Sequence, residues 1–259
     1  MTLALCVNRT MESSLKHLKR KCVACERTGV EMNKEHIFPQ WLIVKTNTNN
    51  TGIRWMQNQK LPALRATIPI CCDCNNAFGK ELEGPVSTIF NNIESNRGIS
   101  DIDAEILIRW LWKLDGLAWC ANNPNHQYTA TRTLKERVLH PIDSIRENLV
   151  LAVSIINSLH PESDDWPMGI DSKTSLDAVF VSGVFSKVAL MVLLDAFSSM
   201  LPTNFSYYRL ASKKDSASSA KLFFPKIGFV DDVEAVGVTY LASKPIAKAH
   251  DVFWREFNK

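Results

Sequence analysis

Residues 22–41, CVACERTGVEMNKEHIFPQW, and residues 68–78, IPICCDCNNAF, decide how this chain is read. Each holds two cysteines separated by two residues: Cys22 with Cys25, and Cys71 with Cys74. A tight turn with that spacer aims two thiolates at one ion. Two such turns complete the four-sulfur tetrahedral shell that suits zinc. One ion would join chain regions 46 residues apart, from Cys25 to Cys71, and a structural zinc contributes directly to folding. Cys72 is an alternative to Cys71, but only Cys71 keeps the two-residue spacer. Cys6 and Cys120 stand alone and read as core thiols.

Outward from the cysteines, local patterns give the elements. Ile37 and Phe38 end at Pro39, which limits a strand. Ile68 to Ile70 suits an edge strand leading into the second pair. Thr46 to Gly52 reads as a loop. From Asn75 the apolar spacing turns helical through Phe78, Leu82 and Val86, with a break or kink expected at Gly84-Pro85. A helix then carries Val86, Ile89, Phe90 and Ile93. The next is capped by Asp101 or Asp103 and repeats Ile106, Trp110, Leu114 and Leu117 up to about Trp119. Trp110, Trp112 and Trp119 read as helix-packing residues.

Beyond Pro124 the character changes, and a boundary between residues 125 and 126 is expected. Thr133 to His140 reads as a short helix. Asn148 to Asn157, Ala178 to Val184 and Lys187 to Leu194 read as strands, the last equally as a buried helix. Leu222 to Phe224 and Val236 to Leu241 are further strand candidates. The segment 212–220 reads as an exposed loop. The expected class is α+β: a module in 1–125 with following helices, and an α+β region in 126–259.

Composition narrows the function. Hydrophobic residues make up 46% of the 259, enough for a real core. The most apolar stretch, Leu176 to Phe197, is interrupted by Ser182, Gly183, Ser186, Lys187 and Asp195, so no membrane span is expected. The start has no basic flank before its apolar run and does not read as a signal peptide. A cytoplasmic placement follows, with cysteines as thiols or metal ligands. Residues 1–100 hold 13 Lys+Arg against 8 Asp+Glu, or +5, while the rest is −2, so the first part is the better suited to a polyanion.

Between the two pairs lies Glu35-His36-Ile-Phe-Pro39, and Asn75-Asn76 follows the second pair. Taken in order, CVAC, EHIFP, CCDC and NN, the sequence resembles the zinc-stapled HNH endonuclease family over about residues 20–84. The resemblance implies a ββα-metal module in which a structural zinc holds the His-bearing strand against the helix. It implies hydrolysis of DNA phosphodiester bonds, leaving a 5′-phosphate. His36 is the implied general base, as a neutral imidazole near physiological pH. Glu35 and Asn75 are the implied oxygen ligands of a catalytic Mg²⁺ or Mn²⁺, with Asn76 the alternative to Asn75. RNA remains open as a substrate. The resemblance also suggests a bacterial defence or restriction system, with an ATPase or a second copy of the chain as partner. The family's central Asn is missing. Ala66 holds its position, so Arg65, Thr67 or the loop Asn47–Asn50 would have to orient His36. Lys34, Lys45 and Lys80 are candidate phosphate contacts. His17, His126, His140, His160 and His250 have no motif, and Glu162, Asp164 and Asp165 read as a solvated loop. The competing reading is a four-cysteine zinc module that binds nucleic acid or protein and cuts nothing.

Overall fold

The computed structural model describes residues 21–55, 59–123, 132–159, 168–171, 179–212 and 221–257. Cys6, His17, His126, His160, the 162–165 acidic stretch and the expected boundary at 125/126 lie outside them. The chain is mixed α and β, with a helical middle between its sheets.

Strand β1 (Met32–His36) pairs antiparallel with β4 (Thr67–Cys71), and α3 (Cys72–Phe78) follows β4 without a break. Between the two strands lie α1 (Gln40–Lys45), a four-residue α2 (Thr48–Thr51) and a small hairpin of β2 (Ile53–Trp55) and β3 (Gln59–Leu61). The Thr46–Gly52 stretch is thus partly helical rather than a plain loop. Its turn places Asn47 in the left-handed region at φ 58°, where Asn is among the better tolerated side chains.

No break occurs at Gly84-Pro85. A π-helical turn, Gly79–Glu83, links α3 to α4 (Gly84–Glu94). Pro85 has no N–H for the carbonyl four residues back, and its ring crowds that carbonyl. The wider turn just before it absorbs both defects, and helical backbone runs on to Glu94.

Helix α5 (Asp101–Asn122) is the central element. Its cap is Ser100, not Asp101 or Asp103. The Ser100 hydroxyl accepts the Asp103 N–H, and the Asp103 carboxylate accepts the Ser100 N–H at 2.8 Å. Asp101 is buried in an ion pair with Arg146 and also accepts from Tyr208 and the Ala211 N–H. Residues Leu107 to Leu117 are buried all round, as befits a helix covered on every side. Trp110 and Trp112 pack as expected, and Trp112 also donates its indole N–H to the Val179 carbonyl at 3.0 Å. Helix α6 (Leu134–Leu139) starts at a second capping box, Thr133 with Glu136.

The main sheet has β5 (Leu149–Ile156) at its heart. Beside β5 lies β8 (Val188–Leu194), then β7 (Val181–Phe185) and β6 (Met168–Asp171). The other edge of β5 is shared end to end by β9 (Ser206–Arg209) and a parallel β10 (Ile227–Phe229). Residues 187–194 therefore resolve as a strand, from Val188. At Leu222 to Phe224 only a single bridge forms, between Phe223 and Ile99.

Both faces of this sheet are covered, which is why β5, β7 and β8 are buried at every position. Leu149, Leu151 and Val153 of β5 join the core that contains α4, α5 and the cysteine pairs. Val150, Ala152 and Ile156 face the second core, under α7 (Asp232–Phe257). That helix replaces the strand expected at Val236 to Leu241. Asp231 caps it by accepting the Glu234 N–H at 2.9 Å, and Glu234 accepts the Val230 N–H in return. Ala235, Thr239, Ser243, Ile246 and His250 then line one buried face at helical spacing. This placement outweighs the β preference of its Val and Thr residues.

The rings of Trp41 (α1), Phe90 (α4), Trp110 (α5) and Phe185 (β7) form one aromatic chain, with Trp110 and Phe185 centroids 5.0 Å apart. A single core thus runs from the cysteine pairs to the sheet. No helix among the described residues is long and apolar enough to cross a membrane.

Candidate metal centre and catalytic strand

The first cysteine pair sits on a looped turn. The Cys22 N–H donates to the Arg27 carbonyl at 2.9 Å, and the Glu26 N–H donates to the Cys22 carbonyl at 2.8 Å. Glu26 takes the left-handed conformation at φ 63° so that the chain can turn back after Cys25. The second pair spans the end of β4 and the first turn of α3. The β1–β4 pairing brings the two together, and the Cys71 N–H donates to Cys22 Sγ at 3.2 Å.

The sulfurs of Cys22, Cys25, Cys71 and Cys74 lie within 4.8 Å of one another. Cys25 and Cys71 Sγ are 3.7 Å apart, far beyond the ~2.05 Å of a disulfide. Sulfurs at about 2.3 Å from a tetrahedral ion are separated by about 3.8 Å, so the four-sulfur set is compatible with one zinc ion. Cys71, not Cys72, supplies the third sulfur, as the two-residue spacer requires.

Charge around the cluster is graded. Arg27 donates through Nε to Cys25 Sγ at 3.4 Å and also reaches Cys71 Sγ and Asp73. Burial opposes ionisation of Cys25. The side chain and backbone of Arg27 outweigh it and hold this thiol down at about 6. Burial pushes Cys22 and Cys74 up. Cys120, half-buried and not one of the four clustered cysteines, is pushed up to about 12, chiefly by burial. Helix α6 supports the first turn, since the Lys135 N–H donates to the Ala24 carbonyl at 2.8 Å.

The register of β1 on β4 places the motif residues. His36 is opposite Thr67, and Glu35 is opposite Ile68. The Ile37 N–H donates to the Ala66 carbonyl at 2.9 Å, and the Cys72 N–H donates to the Glu31 carbonyl at 3.1 Å. Those bonds put the odd-numbered positions of β1 in hydrogen-bonded pairs. His36 and Thr67 therefore form a non-hydrogen-bonded pair, the kind whose side chains come closest. His36 is half-buried and makes no hydrogen bond or ion pair among the described residues. Ala66 is buried, whereas Thr67 is half-buried on the His36 face.

Glu35 points the other way, into the core, with 7% of its surface exposed. Its carboxylate accepts from Lys113 Nζ of α5 at 2.5 Å, and the same ammonium pairs with Glu83 of the π-turn. Lys113 is wholly buried. Burial pushes the Glu35 carboxyl up; Lys113 opposes the shift and Glu83 adds to it. Sequence reasoning missed Lys113 and Glu83. The available signal was a lysine directly after an apolar Trp110-Leu-Trp run in the middle of a helix pattern.

Asn75 is half-buried and Asn76 exposed, both within α3. The helix begins at Cys72, with Cys71 in the capping position, so Asn75 lies inside the helix rather than at its cap. Lys45 is tied to Glu94 at 2.7 Å, while Lys34 and Lys80 are exposed. His250 lies on the buried face of α7, and the strand-end motif does not include it.

An ammonium already sits against Glu35, so this carboxylate faces a cation in the folded chain. The Glu35 carboxylate and the Asn75 amide are hard oxygen donors of the kind that a hydrated divalent ion accepts, but Glu35 lies on the core face of β1 and His36 on the opposite face, so the strand itself does not converge their side chains. No protein-family model, curated protein or solved structure matches this chain.

Proposed function

We propose that the chain is a zinc-stapled, HNH-type endonuclease that hydrolyses phosphodiester bonds in DNA with Mg²⁺ or Mn²⁺. The observation that carries this reading is the union of cysteine cluster and strand. Four sulfurs gather the Cys22–Cys25 turn, which leads into β1 and its Glu35-His36 end, against the end of β4 and the helix bearing Asn75, while β1 itself pairs with β4. A zinc ion in the cluster would hold that geometry without taking part in chemistry.

His36 is the general base. Its imidazole has no competing partner among the described residues, so it is available to take a proton from water. Thr67, directly across the strand pair, is the group suited to orient it where Ala66 lacks an amide. Glu35 and Asn75 supply oxygen ligands. A divalent ion there would stabilise charge on the phosphate and on the departing oxygen. The basic first hundred residues suit DNA, and a role in a defence system, with an ATPase or second copy as partner, is the setting that the resemblance suggests.

A second reading has its own support. Glu35 is engaged by Lys113, and Ala66 replaces the family's Asn, as in a zinc module that binds nucleic acid or protein without cutting. A supercoiled-plasmid nicking assay separates the two. With equal zinc loading, wild type nicks DNA in Mg²⁺ or Mn²⁺ and His36→Ala loses at least about a hundredfold in rate, the scale of a lost general base. Equal cutting by both proteins would remove His36 from the mechanism. No cutting by either, with DNA still bound, would favour the binding module.

A further inference from the structure

The strand-end motif names no positive charge, yet the structure puts one at its centre. The Lys113 ammonium is wholly buried and has two carboxylate partners, Glu35 at 2.5 Å and Glu83. The three come from separate elements: β1, the π-turn and α5. Glu83 is the most exposed of them, its side chain 20% accessible against 9% for Glu35 and none for Lys113. The π-turn before Pro85 shifts the helical register by one residue and so sets where Glu83 falls.

A buried ammonium stripped of every carboxylate is heavily penalised. One with two carboxylates in contact can release either and keep the other. Resting on the endonuclease reading above, we propose that Lys113 is a built-in competitor for the divalent-cation site and that Glu83 is its exchange acceptor. When Glu35 turns to a divalent cation, the Lys113 ammonium passes wholly to Glu83. Before that, the same ammonium neutralises Glu35 and keeps it folded against α5. Lys113 and Glu83 are thus positioning residues. They touch neither substrate nor the reacting atoms, and they set how tightly the cation is held and how specifically it must be required.

The two residues are expected to act in opposite directions. Glu83→Gln strands the ammonium whenever Glu35 leaves it, so cation binding weakens. Lys113→Met removes the competitor and leaves more negative charge, so binding tightens. A purely structural cluster would lower thermal stability in both variants without opposite shifts in cation affinity.

The test is Mn²⁺ binding to the zinc-loaded full chain, followed by electron paramagnetic resonance, with Glu35→Gln as the control that assigns the site. Glu83→Gln is expected to weaken Mn²⁺ by about tenfold and Lys113→Met to tighten it severalfold. Because Lys113→Met leaves two buried carboxylates unpaired and can impair folding, Lys113→Met/Glu83→Gln is measured as well. It is expected to bind at least as tightly as wild type. Glu83→Gln affinity within twofold of wild type, or a double variant as weak as Glu83→Gln, would overturn the exchange. So would a zinc-loaded wild type that binds no Mn²⁺. A wild type that binds Mn²⁺ through Glu35 with these opposite shifts, yet never nicks DNA, would remove the nuclease reading and leave the exchange standing.

Discussion

His250 illustrates how one buried side chain sets a condition on the whole fold. It lies between the rings of Phe180 and Phe197, and its Nε2 accepts the Leu194 N–H at 3.4 Å. Burial holds its pKa down at about 4. The folded chain therefore keeps it neutral where the unfolded chain, near 6.5, takes up a proton. Its contribution is fully present above about pH 6.5 and is lost as pH falls toward 4, by up to roughly 3 kcal/mol. Urea midpoints at pH 7.5 and pH 5 should differ clearly in wild type and less in His250→Leu. Equal pH dependence in the two would contradict this account. The residue scale is also where the sequence was most and least informative. The spacer rule selects Cys22, Cys25, Cys71 and Cys74 unaided, because two thiols three positions apart have few other uses in such a pattern. Lys113 and Glu83 were not legible. Their meaning depends on β1, the π-turn and α5 meeting in space, and nothing local in the chain states that.

At the scale of elements, close approach governs tolerance. Gly228 of β10 has the Asn204 carbonyl so near that an added Cβ would lie 1.9 Å from that oxygen and 2.3 Å from Ser154 Oγ. Both are fixed: Ser154 donates to the Asn204 carbonyl at 2.9 Å, and the Asn204 amide donates to the Gly228 carbonyl at 2.7 Å. Backbone cannot yield as a side-chain tip can, so Gly228→Ala should cost about 1–3 kcal/mol in urea unfolding. A loss under about 0.5 kcal/mol would show that β10 is not seated this way. The elements that pattern identified correctly, such as β5, β8 and α5, are long and strongly apolar. Residues 236–241 misled because Val and Thr favour strands locally, whereas the Asp231/Glu234 cap and the spacing of Ala235, Thr239 and Ser243 demand a helix. The π-turn was hidden for a related reason. Gly84-Pro85 signals a break, and only the packing of α4 shows that a widened turn is the alternative to breaking.

In the whole molecule, the cysteine cluster and the sheet are parts of one structure. The cluster gathers the Cys22–Cys25 turn, the end of β4 and α3, the α4–α5 pair carries the Trp110–Phe185 contact into the sheet, and α6 braces the first cysteine turn. The C-terminal sheet is therefore continuous, through this shared core, with the part of the chain that carries β1. One zinc ion, held by these four sulfurs, is expected to tie the Cys22–Cys25 turn to the end of β4 and to α3. X-ray absorption at the zinc edge on purified chain tests it most directly. The predicted result is one zinc per chain with four sulfurs at about 2.3 Å, and fewer sulfurs in any single Cys→Ser variant at 22, 25, 71 or 74 but not in Cys72→Ser. Substoichiometric zinc, a shell containing nitrogen or oxygen in wild type, or loss of a sulfur in Cys72→Ser would contradict it.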